Sequence, residues 1–177
     1  MGEGMNQQRY LVHFIGRLLD GLVRGIEDLD EEELHFRPHE QCNSIGFDAW
    51  HVFRTADNVV HFAFEREQPV WLQQGLDERW GLPKVAQGTG MDAAEAHALR
   101  FPEAAQLAAY GRDVRDAVVA RVEAMSDEYL QTVSRVVPWG EITRVEAIGQ
   151  TIVAHGNNHL GQIDIARTML GKPGLGI

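Results

Sequence analysis

The sequence predicts an all-α protein: a four-helix bundle of up-down-down-up topology with a long crossover between helices two and three. Three observations predict it. Apolar residues recur at three- and four-residue steps over four long stretches. No pair of segments reads as two convincing strands. A Pro- and Gly-punctuated interval, residues 67 to 101, separates the second and third helices and is unusually long for a compact domain.

Leu11, Ile15, Leu18, Leu22, Ile26 and Leu29 form one stripe, so residues 6 to 29 read as the first helix. Gly16, Gly21 and Gly25 each weaken it by about 1 kcal/mol relative to alanine and allow a neighbour to approach closely. A polar stretch, Asp28 to Asn43, follows and is broken at Pro38. The second helix starts after Asn43 and Ser44, both good N-cap residues, and ends near Arg66, before Pro69. It carries two apolar stripes, one through Ile45, Ala49, Val52 and Ala56 and one through Gly46, Trp50, Phe53 and Val60, as expected of a helix in the middle of a bundle.

The interval from 67 to 101 holds Trp71 and Trp80, which need cover, and short helices are expected at Trp71-Leu72 and at Asp92 to Leu99. It reads as a crossover strapped along the outside of the bundle. The third helix runs from Pro102, suited to a first helical turn, to Met125. Ser126 to Gly140 reads as a loop with one helical turn at Ser126 to Leu130. Thr143 and Glu146 make a capping box that opens the fourth helix, which ends at Gly171 with Pro173 just beyond. A helix of about 22 residues is about 33 Å long, a distance the crossover can span. Helices two and three then run parallel.

Composition narrows the function. The 177 residues fit a single domain, 1–177, with a sizeable core. Lys plus Arg total 16 and Asp plus Glu total 26, and the net charge of −10 argues against nucleic-acid binding. The one cysteine, Cys42, excludes an intrachain disulfide. No apolar run is long enough to span a membrane, and Met1 to Asn6 lack the regions of a signal peptide, so a cytoplasmic protein is expected.

The chemistry concentrates on the fourth helix. His155 and His159 stand at i and i+4, with Cβ atoms about 6 Å apart, so their imidazoles can converge on one metal at about 2.0–2.1 Å per bond. Both fall on the apolar stripe of Ile148, Ile152, Ile163 and Ala166, where buried imidazoles need partners. Two core histidines bonded to neighbouring side chains fit the spacing equally. Gly156 opposes a helix interior unless a neighbour needs the space. His51, between the two stripes of the second helix, supplies a third nitrogen from a facing helix and leaves a coordination position open.

Asn43-Ser44-Ile45-Gly46-Phe47-Asp48-Ala49-Trp50-His51 resembles the start of the second helix in the DinB-like bundles, also called DinB/YfiT-like metalloenzymes. The pair His155 and His159, followed by Gly161-Gln162-Ile163, resembles the other half of that signature. The resemblance spans the whole chain. It implies an up-down-down-up bundle and a divalent metal held by His51, His155 and His159. It also implies a kinship with thiol-dependent enzymes, a mycothiol-dependent isomerase and bacillithiol transferases among them, and pairing into homodimers.

On this reading Zn or Ni is the first choice of metal, with Fe, Co or Cu also suited to imidazoles. The metal acidifies a water for hydrolysis, or a low-molecular-weight thiol for S-transfer or isomerisation of a small-molecule substrate. Asp48, one turn before His51, is the best-spaced carboxylate base, although a capping role suits the same position. Arg54 and Asn58 continue the His51 face and could orient a substrate carboxylate or a cofactor, or form bundle salt bridges. Gln162 could bond an imidazole or cap the core. His13, His35, His39, His61 and His97 read as surface or loop residues, and Cys42 could lie near the site mouth. The alternative is a non-catalytic metal-binding bundle or scaffold.

Overall fold

Asn6 accepts a hydrogen bond from the Arg9 N–H and opens α1, Gln7–Ile26. The computed structural model describes residues 6–136 and 139–176, so the N-terminal segment read for a leader, Met1 to Met5, lies outside the described residues. α1 buries the predicted stripe but ends short of Leu29, which reaches the core from the turn beyond. The stretch read only as polar contains α2, Glu31–Leu34, whose capping box joins Asp30 and Glu33.

The Ser44 hydroxyl accepts from the Phe47 N–H and opens α3, Ile45–Asp57, every residue of which is buried. α3 runs on into a π-helical turn, Asn58–Ala63. The crossover holds α4, Val70–Gln73, α5, Leu76–Trp80, and α6, Ala93–Ala98. It does not lie wholly outside the core: Trp71 is fully buried, with ring centroids 6.3 Å from Trp50 and 5.4 Å from Tyr110.

α7 spans Ala104–Glu123. Pro102 precedes its N-cap, Glu103, instead of occupying the first turn, because the chain stays extended while Phe101 packs beneath Gly46 and Trp50. After α8, Asp127–Leu130, two strands not expected from the sequence pair antiparallel: β1, Val133–Val136, with β2, Gly140–Thr143. The β-branched Val133, Val136, Ile142 and Thr143 favour this hairpin. The Thr143–Glu146 capping box then opens α9, Arg144–Ala147. The helix continues through a π-helical turn, Ile148–Ala154, into α10, His155–Met169.

α1, α3, α7 and α10 are the long helices, and they pack on one another. Small residues mark the close approaches. The Gly111 Cα faces the Phe53 ring so closely that a β-carbon there would overlap it. A β-carbon on Gly156 would stand 2.5 Å from the Leu18 Cδ2, which explains a glycine beside a histidine inside a helix. Leu160 and Ile163 likewise fill the space left by Gly21 and Gly25. Arg167, itself buried, donates to the Gly25 carbonyl and to Asp28, whose carboxyl is held below its ordinary value mainly by that hydrogen bond. Among the described residues no helix is long and apolar enough to cross a membrane.

Gly111→Ala should lower stability by about 1–3 kcal/mol through overpacking. Gly161→Ala, where nothing stands within 4 Å, should raise it by up to about 1 kcal/mol through helix propensity. Paired denaturant titrations read both signs, and equal effects would contradict the Phe53 contact.

Candidate metal centre

α3 and α10 carry the three histidines of the sequence reading and bring them together. The Nε2 atoms of His51 and His155 stand 3.1 Å apart, as do those of His159 and His155, and one ligand atom from each lies within 4.8 Å of the others. Nitrogens bound to one tetrahedral cation at about 2.05 Å are about 3.3 Å apart.

The other ring nitrogens are all committed. His51 Nδ1 donates to the Gln87 carbonyl at 2.5 Å, His155 Nδ1 to the Thr151 carbonyl at 3.1 Å and His159 Nδ1 to Asp48 Oδ1 at 3.0 Å. A carbonyl or carboxylate only accepts, so each Nδ1 carries the proton. In their neutral forms the rings aim three Nε2 lone pairs at one point, where a cation would relieve the repulsion among them. Burial pushes His51 down to about 4 and also lowers His155, whose neighbour His159 adds to the effect. Both shifts favour the neutral form that ligates a metal. The residues present thus fit a divalent cation.

Ile148, Ile152, Ile163 and Ala166 of the expected stripe are buried, but the two histidines are not fully so. His155 and His159 are half-buried, and the core face of α10 also takes in Gly156, Leu160 and Arg167. A π-helical turn immediately precedes His155. The two rings stand at the edge of the core, beside a cleft of about 360 Å³. Asn43 and Phe47 line one side of this cleft, and Gly88 to Met91 with Ala93 and Ala96 of the crossover line the other. Phe47 stacks on His51 at 5.8 Å between centroids.

The other sequence candidates divide. Asp48 is buried and directly behind His159, where Asn43 Nδ2 also donates to it at 3.2 Å, so its observed partner is a ligand's far nitrogen. Arg54 is buried but does not line the cleft; its Nη2 donates to the Lys84 carbonyl at 3.1 Å. Asn58 begins the π-helical turn and is not a cleft residue either. Gln162 is exposed, and with Cys42 it lines a separate cavity beside Ile45 and Ile165.

The expectation for His61 fails. It is buried, and its Nδ1 meets Asp57 Oδ1 at 2.9 Å. Asp57, fully buried, also accepts from the Val70 and Trp71 N–H groups and from the Tyr110 hydroxyl. It caps α4, which follows Pro69 and has no side-chain cap of its own.

The crossover's part in the site has almost no side-chain signature in the sequence. Gln87 contributes only a carbonyl, which no side-chain pattern reveals. Gly88 has φ +98°, and a β-carbon there would stand 2.9 Å from His51 Nδ1, so only glycine lets the strap lie this close. The glycines at 88 and 90 were the one available signal.

Comparison with known proteins agrees with this architecture. A family model described as the DinB superfamily matches residues 17–163. A crystal structure of a conserved protein from Enterococcus faecalis is similar with a TM-score of 0.81 and 19% identity, over 96% of this chain and 100% of that one. A structure from Streptococcus pneumoniae gives a TM-score of 0.62 at 13% identity, over 96% of this chain and 95% of that one. At such identities the likeness speaks for the fold alone. No curated protein matches the chain.

His155→Ala should abolish stoichiometric binding of Zn²⁺ by the untagged protein, measured by competition with a chelator. Asp48→Asn should weaken it by roughly 10–100-fold, because His159 loses its orienting carboxylate. Unchanged stoichiometry in the first variant would refute the ligand set.

Proposed function

The chain belongs to the DinB superfamily, and on that premise we propose that it is a metal-dependent enzyme in which His51, His155 and His159 hold one divalent cation. The observation that carries this reading is the convergence of three Nε2 lone pairs, each ring fixed from behind, at the wall of a cleft. Among the described residues no fourth His, Cys, Asp or Glu joins the cluster, which suits an open catalytic site better than a closed structural one. Zn²⁺ or Ni²⁺ is the proposed ion, since three imidazoles and no thiolate favour such borderline metals, Fe, Co and Cu being the further candidates.

A divalent cation there supplies the charge that acidifies a thiol or a water entering from the cleft. The protein's own groups do the rest. Asp48 orients His159, the Gln87 carbonyl orients His51, and Phe47, Met91 and Ala96 add apolar side chains to a cleft otherwise lined by polar groups. No carboxylate lines the cleft among the described residues. Hydrolysis wants such a base, whereas a thiol, once acidified, is its own nucleophile. We therefore favour S-transfer or thiol-assisted isomerisation by a low-molecular-weight thiol over hydrolysis.

The same reading takes the chain as one domain and orders its long helices up-down-down-up. Gly16 beside Val119 and Asp20 beside Arg115 support antiparallel α1 and α7. Leu18 beside Gly156, Gly21 beside Leu160 and Gly25 beside Ile163 support parallel α1 and α10. Asp48 with His159 and Val52 with Gly156 support antiparallel α3 and α10. A cytoplasmic homodimer completes the proposal, with the exposed Ile165 and Met169 of α10 as an apolar strip for pairing. Trp71, being buried, takes no part in that contact.

Metal-loaded protein offered a panel of small thiols with an electrophilic co-substrate should consume free thiol, and His51→Ala should remove that activity. Thiol loss that is identical with and without metal, or absent throughout the panel while metal is bound, would favour a non-catalytic metal-binding bundle.

A further inference from the structure

We propose that Arg54 is a positioning residue for the metal centre, acting on His51 through the crossover. The inference rests on the three-histidine reading above and deepens it by naming what holds one ligand in place. Arg54 lies three residues after His51 on α3, so both face the same neighbour. That neighbour is the strap from Lys84 to Gln87. Arg54 Nη2 stands 3.1 Å from the Lys84 carbonyl, with the carbonyls of Val85 and Ala86 at 3.4 and 3.5 Å. The next carbonyl along the chain, that of Gln87, is the one that accepts from His51 Nδ1.

Little else fastens this strap. Residues 81–92 hold no helix or strand, and Lys84, Val85 and Ala86 are exposed. Among the described residues Arg54 is the hydrogen-bond donor to the 84–86 carbonyls. The guanidinium is itself held rigidly. It is 2% exposed, and its Cζ lies 4.7 Å from the centroid of the Trp71 ring. The N–H of Trp71 is in turn fixed by Asp57. Among the described residues Arg54 has no carboxylate within ion-pair distance, although a buried cation is costly without one. Asp57 and Asp77, further off, still favour its charge, and the strap's carbonyls accept from its Nη2. All three contacts are made by Nη2, which has two N–H bonds, so the 3.1 Å bond to the Lys84 carbonyl is the principal one.

The consequence reaches the metal. Without Arg54 the strap loses its anchor, the Gln87 carbonyl leaves His51, and the ring is free to turn or to move its proton to Nε2. Partners behind a metal-bound imidazole are typically worth 10–100-fold in affinity. Linkage makes the effect reciprocal: a cation that fixes His51 also fixes Gln87 and the strap.

The test uses the full chain, stripped of metal and titrated with Zn²⁺ against a competing chelator and with Co²⁺ by visible absorption. Arg54→Met, which keeps the packing on Trp71, should bind Zn²⁺ 10–100-fold more weakly than wild type and give an altered Co²⁺ spectrum. Arg54→Lys should recover only part of the loss. In a His51→Ala background Arg54→Met should cost nothing further. In the wild type, trypsin cleavage after the exposed Lys84 should slow when Zn²⁺ is bound, a measurement that needs no variant to fold. Wild-type affinity and spectrum in Arg54→Met, an equal loss in the His51→Ala background, or unchanged cleavage after Lys84 would each overturn the proposal while leaving the metal site standing. A wild-type chain that binds neither ion would overturn both.

Discussion

α3 is buried along its whole length and yet carries His51, Arg54 and Asp57 on one ridge. Polar and charged groups in that position are costly unless each finds a partner. The crossover supplies them: the Gln87 carbonyl for His51, the Lys84 carbonyl for Arg54, and the Val70 and Trp71 N–H groups for Asp57. The long connection is thus the fourth wall of α3, pinned at its start by Asp57 and near its end by Arg54 and His51. Without that ridge its exposed residues 84–86 would have little reason to lie where they do.

The three-histidine cluster sits where this wall meets α10. Two constraints converge on it. From behind, acceptor-only groups fix every Nδ1 as a donor, so the Nε2 lone pairs crowd together. From the side, Gly156 allows α10 to press on Leu18 and Val52, which brings His155 and His159 within reach of His51. A divalent cation among them would relieve the repulsion of the lone pairs. The polar neighbours that make the cluster awkward as a hydrophobic core make it suitable as a ligand set.

The two π-helical turns, Asn58–Ala63 and Ile148–Ala154, flank this region on the helices that carry the histidines. The second one immediately precedes His155. Leu160 is buried, and the imidazoles stand at the cleft edge. A site reached by a small molecule needs that edge.

The sequence by itself determined the helices. Stripes at three- and four-residue steps, the caps Ser44 and Thr143, and the stops at Pro69 and Gly171 are local, and local preference and burial agree on them. It also pointed to the histidine cluster, because an i, i+4 histidine pair and a third histidine on a facing helix are legible as spacing. Tertiary structure decided what has no side-chain signature or depends on contact between distant segments. The Gln87 carbonyl, the extended run at Pro102, the β hairpin, and the burial of His61 against Asp57 are of this kind. So is the real work of Arg54, whose spacing shows which face it occupies but not that a strap 30 residues later lies against that face. Side-chain periodicity records how a helix is oriented toward a core; it carries no record of which backbone atoms fold back to satisfy the polar groups that the core encloses.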